Sequence, residues 1–206
     1  MKDIYLYENT SILKNKLDIK NQEELNLAEA DYLLCRILEV EKLAIDRDIN
    51  IHYFKLIHKY LFQDIYEWAG EFRKIDIEKY ERALNGLSVK YEDFLQIENK
   101  LNTIFEIINK TDVISMSKKE LVEHITDIIA DMWEVHAFRE GNTRTVVLFI
   151  YKYLQKYNIN INKDIFKDNS QYVRDALVAA TFEDIEINVY KNKTYLLRVI
   201  EDALNI

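Results

Sequence analysis

The sequence predicts an all-α fold, and three observations carry that expectation. Its 206 residues include no proline and only three glycines, Gly70, Gly86 and Gly141, so there are few places where strands could reverse tightly. Apolar residues recur at the three- and four-residue spacing of a helical face through most of the chain. A composition 49% hydrophobic and 31% charged is that of an ordinary globular chain, with enough apolar material for one buried core.

The periodicity places helices over 23–46, 51–66, 91–109, 118–136, 143–157 and 192–204. No shift of composition, repeat or low-complexity tract divides the chain. Residues 1–206 therefore read as one domain, with an N-terminal helical part over 1–50, a chemistry-bearing segment at 136–144 and C-terminal helices over 165–206. Between the second and third helices, Phe72-Arg73-Lys74-Ile75-Asp76-Ile77-Glu78-Lys79 alternates apolar and charged residues. That pattern predicts a short extended segment before Gly86, in a small β-hairpin.

A formal net charge of -8 argues against a nucleic-acid partner, whose phosphates would be repelled. Met1-Lys2-Asp3 opens without an apolar signal core, and no apolar run reaches the roughly 20 residues of a membrane span, so no membrane is expected and the cytoplasm is the expected address. Cys35 is the only cysteine, which excludes an intrachain disulfide; within Tyr32-Leu33-Leu34-Cys35 it reads as a buried thiol. His52, His58 and His124 lack the Cys or His partners of a zinc site and read as packed or surface side chains.

Ser117-Lys118-Lys119-Glu120 has the form of a capping box and predicts a helix start. Leu121, Ile125, Ile128, Ile129, Met132 and Trp133 follow as an inward stripe, which His136 extends at the helix end. On periodicity alone that histidine is a satisfied core side chain. The continuation Ala137-Phe138-Arg139-Glu140-Gly141-Asn142-Thr143-Arg144-Thr145 changes this, because Val146, Val147, Phe149, Ile150, Tyr153 and Leu154 then resume a helical pattern. Asn142 is a favoured N-cap and Gly141 can take a positive φ, so the amides here should face outward as an anion site. Arg144 would fall in the first helical turn, where a cation opposes the helix dipole by about 0.3–1 kcal/mol unless something negative compensates it. A bound phosphate would do so; a surface ion pair from Arg144 or Arg139 to Glu140 is the other account. Together, His136 as base, Glu140 as ligand for a hard cation, and Gly141, Asn142 and Arg144 as cradle point to phosphate chemistry.

The run HAFREGNTRT, beginning at His136, resembles the signature of the Fic family, H-x-F-x-(D/E)-G-N-G-R-x-x-R. Upstream, Tyr5-Leu6-Tyr7-Glu8-Asn9-Thr10 with Leu13-Lys14-Asn15-Lys16-Leu17, and Leu61-Phe62-Gln63-Asp64-Ile65-Tyr66-Glu67-Trp68-Ala69-Gly70-Glu71, also look like family segments. The resemblance implies a Fic-type helical bundle with a β-hairpin flap, transferring AMP from ATP to a tyrosine, serine or threonine hydroxyl of a target protein. By that resemblance His136 is the catalytic base and Glu140 holds Mg2+ against the nucleotide. Gly141, Asn142, Thr143 and Arg144 line the phosphates, and Phe138 anchors the loop in the core. Residues 75–89 take the place of the flap, along which the target's extended backbone docks as an added strand.

Three positions depart from the signature. Ala137 replaces the usual proline and restores backbone freedom. Thr143 replaces a glycine and brings a Cβ close to where a phosphate approaches the backbone. Val147 replaces the second arginine, a ligand of the terminal phosphates in AMP-transferring members. Doc toxins, which transfer phosphate, also lack that glycine and arginine, but have alanine where Gly141 stands and have shorter chains. A Doc-like phosphotransferase is thus the alternative enzyme, a nucleotide- or peptide-binding module without turnover the non-enzymatic one, and a purely structural helical protein the last. The family's inhibitory helix, (S/T)-x-x-x-E-(G/N), is absent: Glu8-Asn9, Glu98-Asn99 and Glu140-Gly141 follow Ile4, Phe94 and His136 at the required spacing. Control by a separate antitoxin protein is one expectation, and a homo-oligomer is another partnership left open.

Overall fold

The structure is a computed structural model that describes residues 3–45 and 48–205. The expected end of the first helix, at 46, lies outside the described residues, as do Met1, Lys2 and Ile206.

Helix α1 (Gln22–Leu38) starts where the Asn21 side chain accepts from the amides of Glu23 and Glu24. It ends eight residues earlier than the periodicity indicates, since Glu39 breaks into a 3-10 turn at Val40–Lys42. Helix α2 (Ile51–Phe62) is capped by Asn50 and buries Tyr53, Phe54, Ile57, His58, Leu61 and Phe62 on one face. It stops four residues short of the expected 66, because the chain turns back to Gly70 (φ 85°), where a Cβ would come within 2.8 Å of Lys59 Cβ.

The hairpin follows as β1 (Glu78–Tyr80) and β2 (Ser88–Lys90), antiparallel with Lys79 opposite Val89. The strands occupy only the end of the expected extended segment. Helix α3 (Ile97–Lys110) begins six residues later than the pattern indicates, after Tyr91 has stacked on His136. Helix α4 (Lys118–Val135) opens on the capping box, with Ser117 and Glu120 bonded reciprocally, and its whole predicted stripe is buried.

Helix α5 (Asn142–Lys156), the short α6 (Asp164–Asp168), α7 (Ser170–Thr181) and α8 (Thr194–Leu204) complete the bundle. The main-helix pattern passes over α7, whose buried face alternates small and branched residues, Val173, Ala176, Leu177 and Ala180. Helix α4 is the axis, packed by α3, α5, α7 and α8, while α2 lies across α1, α3 and α5. Phe54, Phe105 and Phe149 meet edge to face at the crossing of α2, α3 and α5. Among the described residues no helix is long and apolar enough to cross a membrane.

Cys35 is exposed, contrary to the buried thiol expected from its apolar neighbours. Helix α1 buries only Leu25 and Leu33, and a residue two positions beyond Leu33 is carried about 200° around the helix to the outer face. His52 is exposed, His124 half-buried and His58 fully buried.

Candidate active site

Helix α4 ends at His136, which takes a left-handed backbone (φ 49°, ψ 55°), uncommon for a residue with a side chain. A buried arginine holds that turn. Arg73 Nε donates to the His136 carbonyl at 2.9 Å, its NH1 donates to Ile75 O at 2.7 Å, and its NH2 donates to the Glu92 carbonyl. The Arg73 amide also donates to Ala137 O at 2.9 Å, so the segment before the hairpin pairs with the chain leaving α4. A guanidinium on the carbonyl end of α4 satisfies acceptors the helix leaves open and suits its dipole.

The His136 ring is 1% exposed and stacks on Tyr91. Its Nδ1 lies 3.2 Å from the Trp133 carbonyl. A carbonyl only accepts, so Nδ1 carries the proton and Nε2 keeps its lone pair. Nε2 makes no hydrogen bond among the described residues. Burial, and next the Lys79 ammonium, push the imidazolium pKa well below its ordinary value, leaving the ring neutral at physiological pH.

Phe138 is fully buried between His58 (3.8 Å between ring centroids, 15°), Phe54 and Phe72. Asn142 is not the N-cap of α5. Gly141 holds that position at φ 79°, and Asn142 is the first helical residue. The amide of Asn142 is committed elsewhere: Oδ1 accepts from Phe138 N at 2.9 Å and Nδ2 donates to Phe138 O at 2.7 Å, closing the loop on itself. Gly141 also packs tightly, since a Cβ there would come within 2.2 Å of the Phe62 ring. The backbone amides of Asn142, Thr143 and Arg144 make no hydrogen bond among the described residues, so the N-terminus of α5 offers three donors.

Thr143 turns its hydroxyl to α4, where it accepts from Trp133 Nε1 at 2.9 Å. Glu140, its side chain 30% exposed, accepts from Lys79 Nζ of β1 at 2.9 Å and from the Gly141 amide at 3.0 Å. Burial raises its carboxyl pKa, but Lys79, the Gly141 amide and Arg144 outweigh that and hold it well below the usual carboxylate range. His58 fixes the carbonyl of the same residue. Its Nδ1 accepts from Gly70 N at 2.8 Å, and Nε2–H donates to Glu140 O at 3.1 Å.

Of the two local pairs considered from the sequence, Arg139–Glu140 is not made among the described residues, and Arg144–Glu140 is made only as a long ion pair without a hydrogen bond. Arg139 binds Asp3 at 2.8 Å, while Arg144 binds Glu29 of α1 at 2.6 Å and stays 3.8 Å from Glu140. Val147 lies half-buried against the core and brings no charge. A second arginine at the cavity comes from α7. Arg174 grips Glu81, just beyond β1, through Nε (2.9 Å) and NH2 (2.6 Å), and Glu81 also accepts from Tyr91 OH.

His136, Glu140, Gly141, Asn142, Thr143 and Arg144 thus border one cavity of about 290 Å³, closed by Lys79 of the hairpin and by Ser170, Gln171 and Arg174 of α7. Sequence reasoning did not name Lys79, Arg174, Glu29, Tyr91 or Glu81 individually, and gave His58 and Arg73 no role. Only Lys79 and Glu81 carried a signal, their place within the expected flap.

A family model described as Fic/DOC family matches residues 48–154. The chain is 29% identical over 163 residues to protein adenylyltransferase VbhT of Bartonella schoenbuchensis, covering 79% of this chain and 33% of that protein. It is 30% identical over 152 residues to probable protein adenylyltransferase y4lH of Sinorhizobium fredii, covering 73% and 74%. The chain therefore spans a third of the length of VbhT and about three quarters of y4lH. Among solved structures, the BepC protein from Bartonella tribocorum with bound AMPPNP superposes with a TM-score of 0.80 at 22% identity, over 97% of this chain and 95% of that one. The helical bundle with its hairpin is thus the fold of these proteins, and the chain belongs to the Fic/DOC family.

Proposed function

We propose that the chain is a protein adenylyltransferase, transferring AMP from ATP to the hydroxyl of a tyrosine, serine or threonine of a target protein. The observation that carries this reading is the convergence of the His136 ring, the Glu140 carboxylate and three unbonded amides of α5 on one cavity. The names of VbhT and y4lH, and the AMPPNP bound to BepC, support it.

In this reading the nucleotide phosphates rest on the amides of Asn142, Thr143 and Arg144 and on the Arg144 guanidinium. The target oxygen attacks the α-phosphorus as its bond to the bridging oxygen breaks, and pyrophosphate leaves. The hydroxyl proton passes to His136 Nε2, which the Trp133 carbonyl keeps as the unprotonated nitrogen. The hairpin has unpaired strand edges beside this site, along which a target segment adds as a further strand.

Magnesium fits the donor set as a single-carboxylate ligand. Among the described residues no group of three or more His, Cys, Asp or Glu forms a cage, and a lone carboxylate with substrate oxygens is how proteins commonly hold this ion. Glu140 would be that ligand, with Lys79 yielding its Oε2, and the ion would neutralise the terminal phosphates. Residues 1–206 act as one domain in this reading, in the cytoplasm, where ATP and magnesium are supplied. In this reading a separate antitoxin protein supplies the (S/T)-x-x-x-E-(G/N) helix that residues 1–206 do not contain, and a homo-oligomer is a further partnership.

A Doc-like phosphate transfer rests on Val147, which leaves the terminal phosphates without a second arginine. The alanine of that branch would strike Phe62 if placed at Gly141, and this favours AMP. Incubating the purified protein with ATP, magnesium and a bacterial lysate tests the reading by the mass added to modified proteins. One AMP supports it, one phosphate supports the Doc-like alternative, and no addition supports a binding module.

A further inference from the structure

Each cation around the cavity is matched by a carboxylate from a different element: Lys79 by Glu140, Arg174 by Glu81 and Arg144 by Glu29. The last pair draws on α1, which lies before the residues matched by the family model. Glu29 is tightly held. Its side chain is 15% exposed, Oε1 accepts from Arg144 NH1 at 2.6 Å, and Oε2 accepts from Tyr66 OH at 2.6 Å. Tyr66 is itself buried and stacked on Trp68 at 4.4 Å, so the carboxylate rests on a rigid support. Two hydrogen bonds from Arg36 to Asp64 Oδ2 and a hydrogen bond from Tyr60 OH to Arg36 O clamp α1 nearby.

Arg144 has a second carboxylate within reach. Glu140 stands four residues earlier, across the first turn of α5, and its Oε1 is 3.8 Å from Arg144 NH2, too long for a hydrogen bond. If Arg144 closed that gap, it would take the carboxylate assigned to the cation and withdraw its own donors from the phosphates. Glu29 uses one arm of the guanidinium and draws the group over the Phe62 ring, 5.0 Å from its centroid. The remaining N–H donors stay unspent, since a guanidinium carries five.

We propose that Glu29 is a positioning residue of the nucleotide site: from α1 it keeps Arg144 beyond hydrogen-bond distance of Glu140, so that the guanidinium serves phosphate and the carboxylate serves a cation. This rests on the reading of Arg144 as a phosphate contact given above. Glu29 touches no substrate; it acts through Arg144.

The test is a double-mutant cycle on the full chain, reading ATP affinity by calorimetry with magnesium and with chelator. Glu29→Gln keeps the size of the side chain and an acceptor for Tyr66. It is expected to weaken magnesium–ATP binding about fivefold or more in the presence of Arg144, and to add nothing in an Arg144→Ala background. A crystal structure of Glu29→Gln should show Arg144 hydrogen-bonded to Glu140. Unchanged or tighter ATP binding in Glu29→Gln, an equal loss in both backgrounds, or Arg144 staying in place without its partner would each overturn the proposal. A purely structural role would lower the melting temperature and leave affinity unmoved. Tyr66→Phe, which removes only the support of Glu29, should give the same loss in smaller measure and serves if Glu29→Gln does not fold. If Arg144→Ala alone leaves ATP affinity unchanged, the phosphate reading of Arg144 fails and the role of Glu29 falls with it. A loss in Arg144→Ala without one in Glu29→Gln sinks the role of Glu29 alone.

Discussion

Tyr91 and His136 stack face to face, their ring centroids 3.6 Å apart and their planes 17° from parallel. The Tyr91 hydroxyl donates to Glu81, and Glu81 is gripped by Arg174 of α7. The imidazole is thereby tied to the hairpin that would hold the target and to the helix that closes the cavity, while Trp133 meets its edge at 5.2 Å.

His136→Ala is expected to lower transfer at least ~100-fold while ATP affinity stays within about twofold, because a base acts on the target hydroxyl and not on the bound phosphates. Single-turnover transfer and calorimetry on the same preparation check this. Wild-type turnover in the variant would make His136 a packing residue.

Tyr91→Phe keeps the stacked ring and loses only the hydrogen bond to Glu81, so transfer should fall by no more than about threefold. Tyr91→Ala removes the platform under the base and should cost about tenfold or more, consistent with the value of an aromatic pair. The loss should appear in the rate constant and not in ATP affinity. Equal effects of the two substitutions would show that the stack does not orient the imidazole.

Glu140→Ala should weaken ATP binding with magnesium present and have little effect in chelator, since a carboxylate near phosphates helps only through a cation. Calorimetry under the two conditions measures it. A loss of the same size without magnesium would place Glu140 in the fold of the loop and not beside the metal.

Folding stability should fall as the solution is acidified below about pH 6.5, with His58 a principal cause. Burial holds its pKa down to about 3, against an unfolded value near 6.5. Above pH 6.5 the ring is neutral in both states and contributes no pH dependence. Between 6.5 and 3 the unfolded chain binds the proton and the folded one does not, so unfolding is favoured by about 2 kcal/mol at pH 5 from this residue. His136 acts in the same direction. Urea unfolding at pH 7 and pH 5 measures the difference, and His58→Gln should shrink it. An unchanged pH slope in that variant would mean that His58 is protonated alike in both states.

What the sequence by itself determined is what neighbouring residues decide among themselves. The Ser117–Glu120 capping box, the stripe from Leu121 to Trp133, the turn through Gly141 and the succession of His136, Glu140 and the amides at the start of α5 all arise within a few positions, where helix geometry brings the groups together. The N-cap failed within the same range because two partners competed for Asn142: its amide satisfies both backbone groups of buried Phe138, and Gly141 supplies the start of α5 instead. Tertiary structure alone decided which charges meet. Lys79 reaches Glu140 across 61 positions, Arg174 reaches Glu81 across 93 and Arg144 reaches Glu29 across 115. These pairings depend on how α1, α7 and the hairpin lie against the α4–α5 loop, and periodicity reports only that a face is apolar, not which element covers it. For the same reason Cys35, apolar in its neighbourhood, ended on the outer face of α1, while His58, which had no motif to mark it, became the support of Glu140.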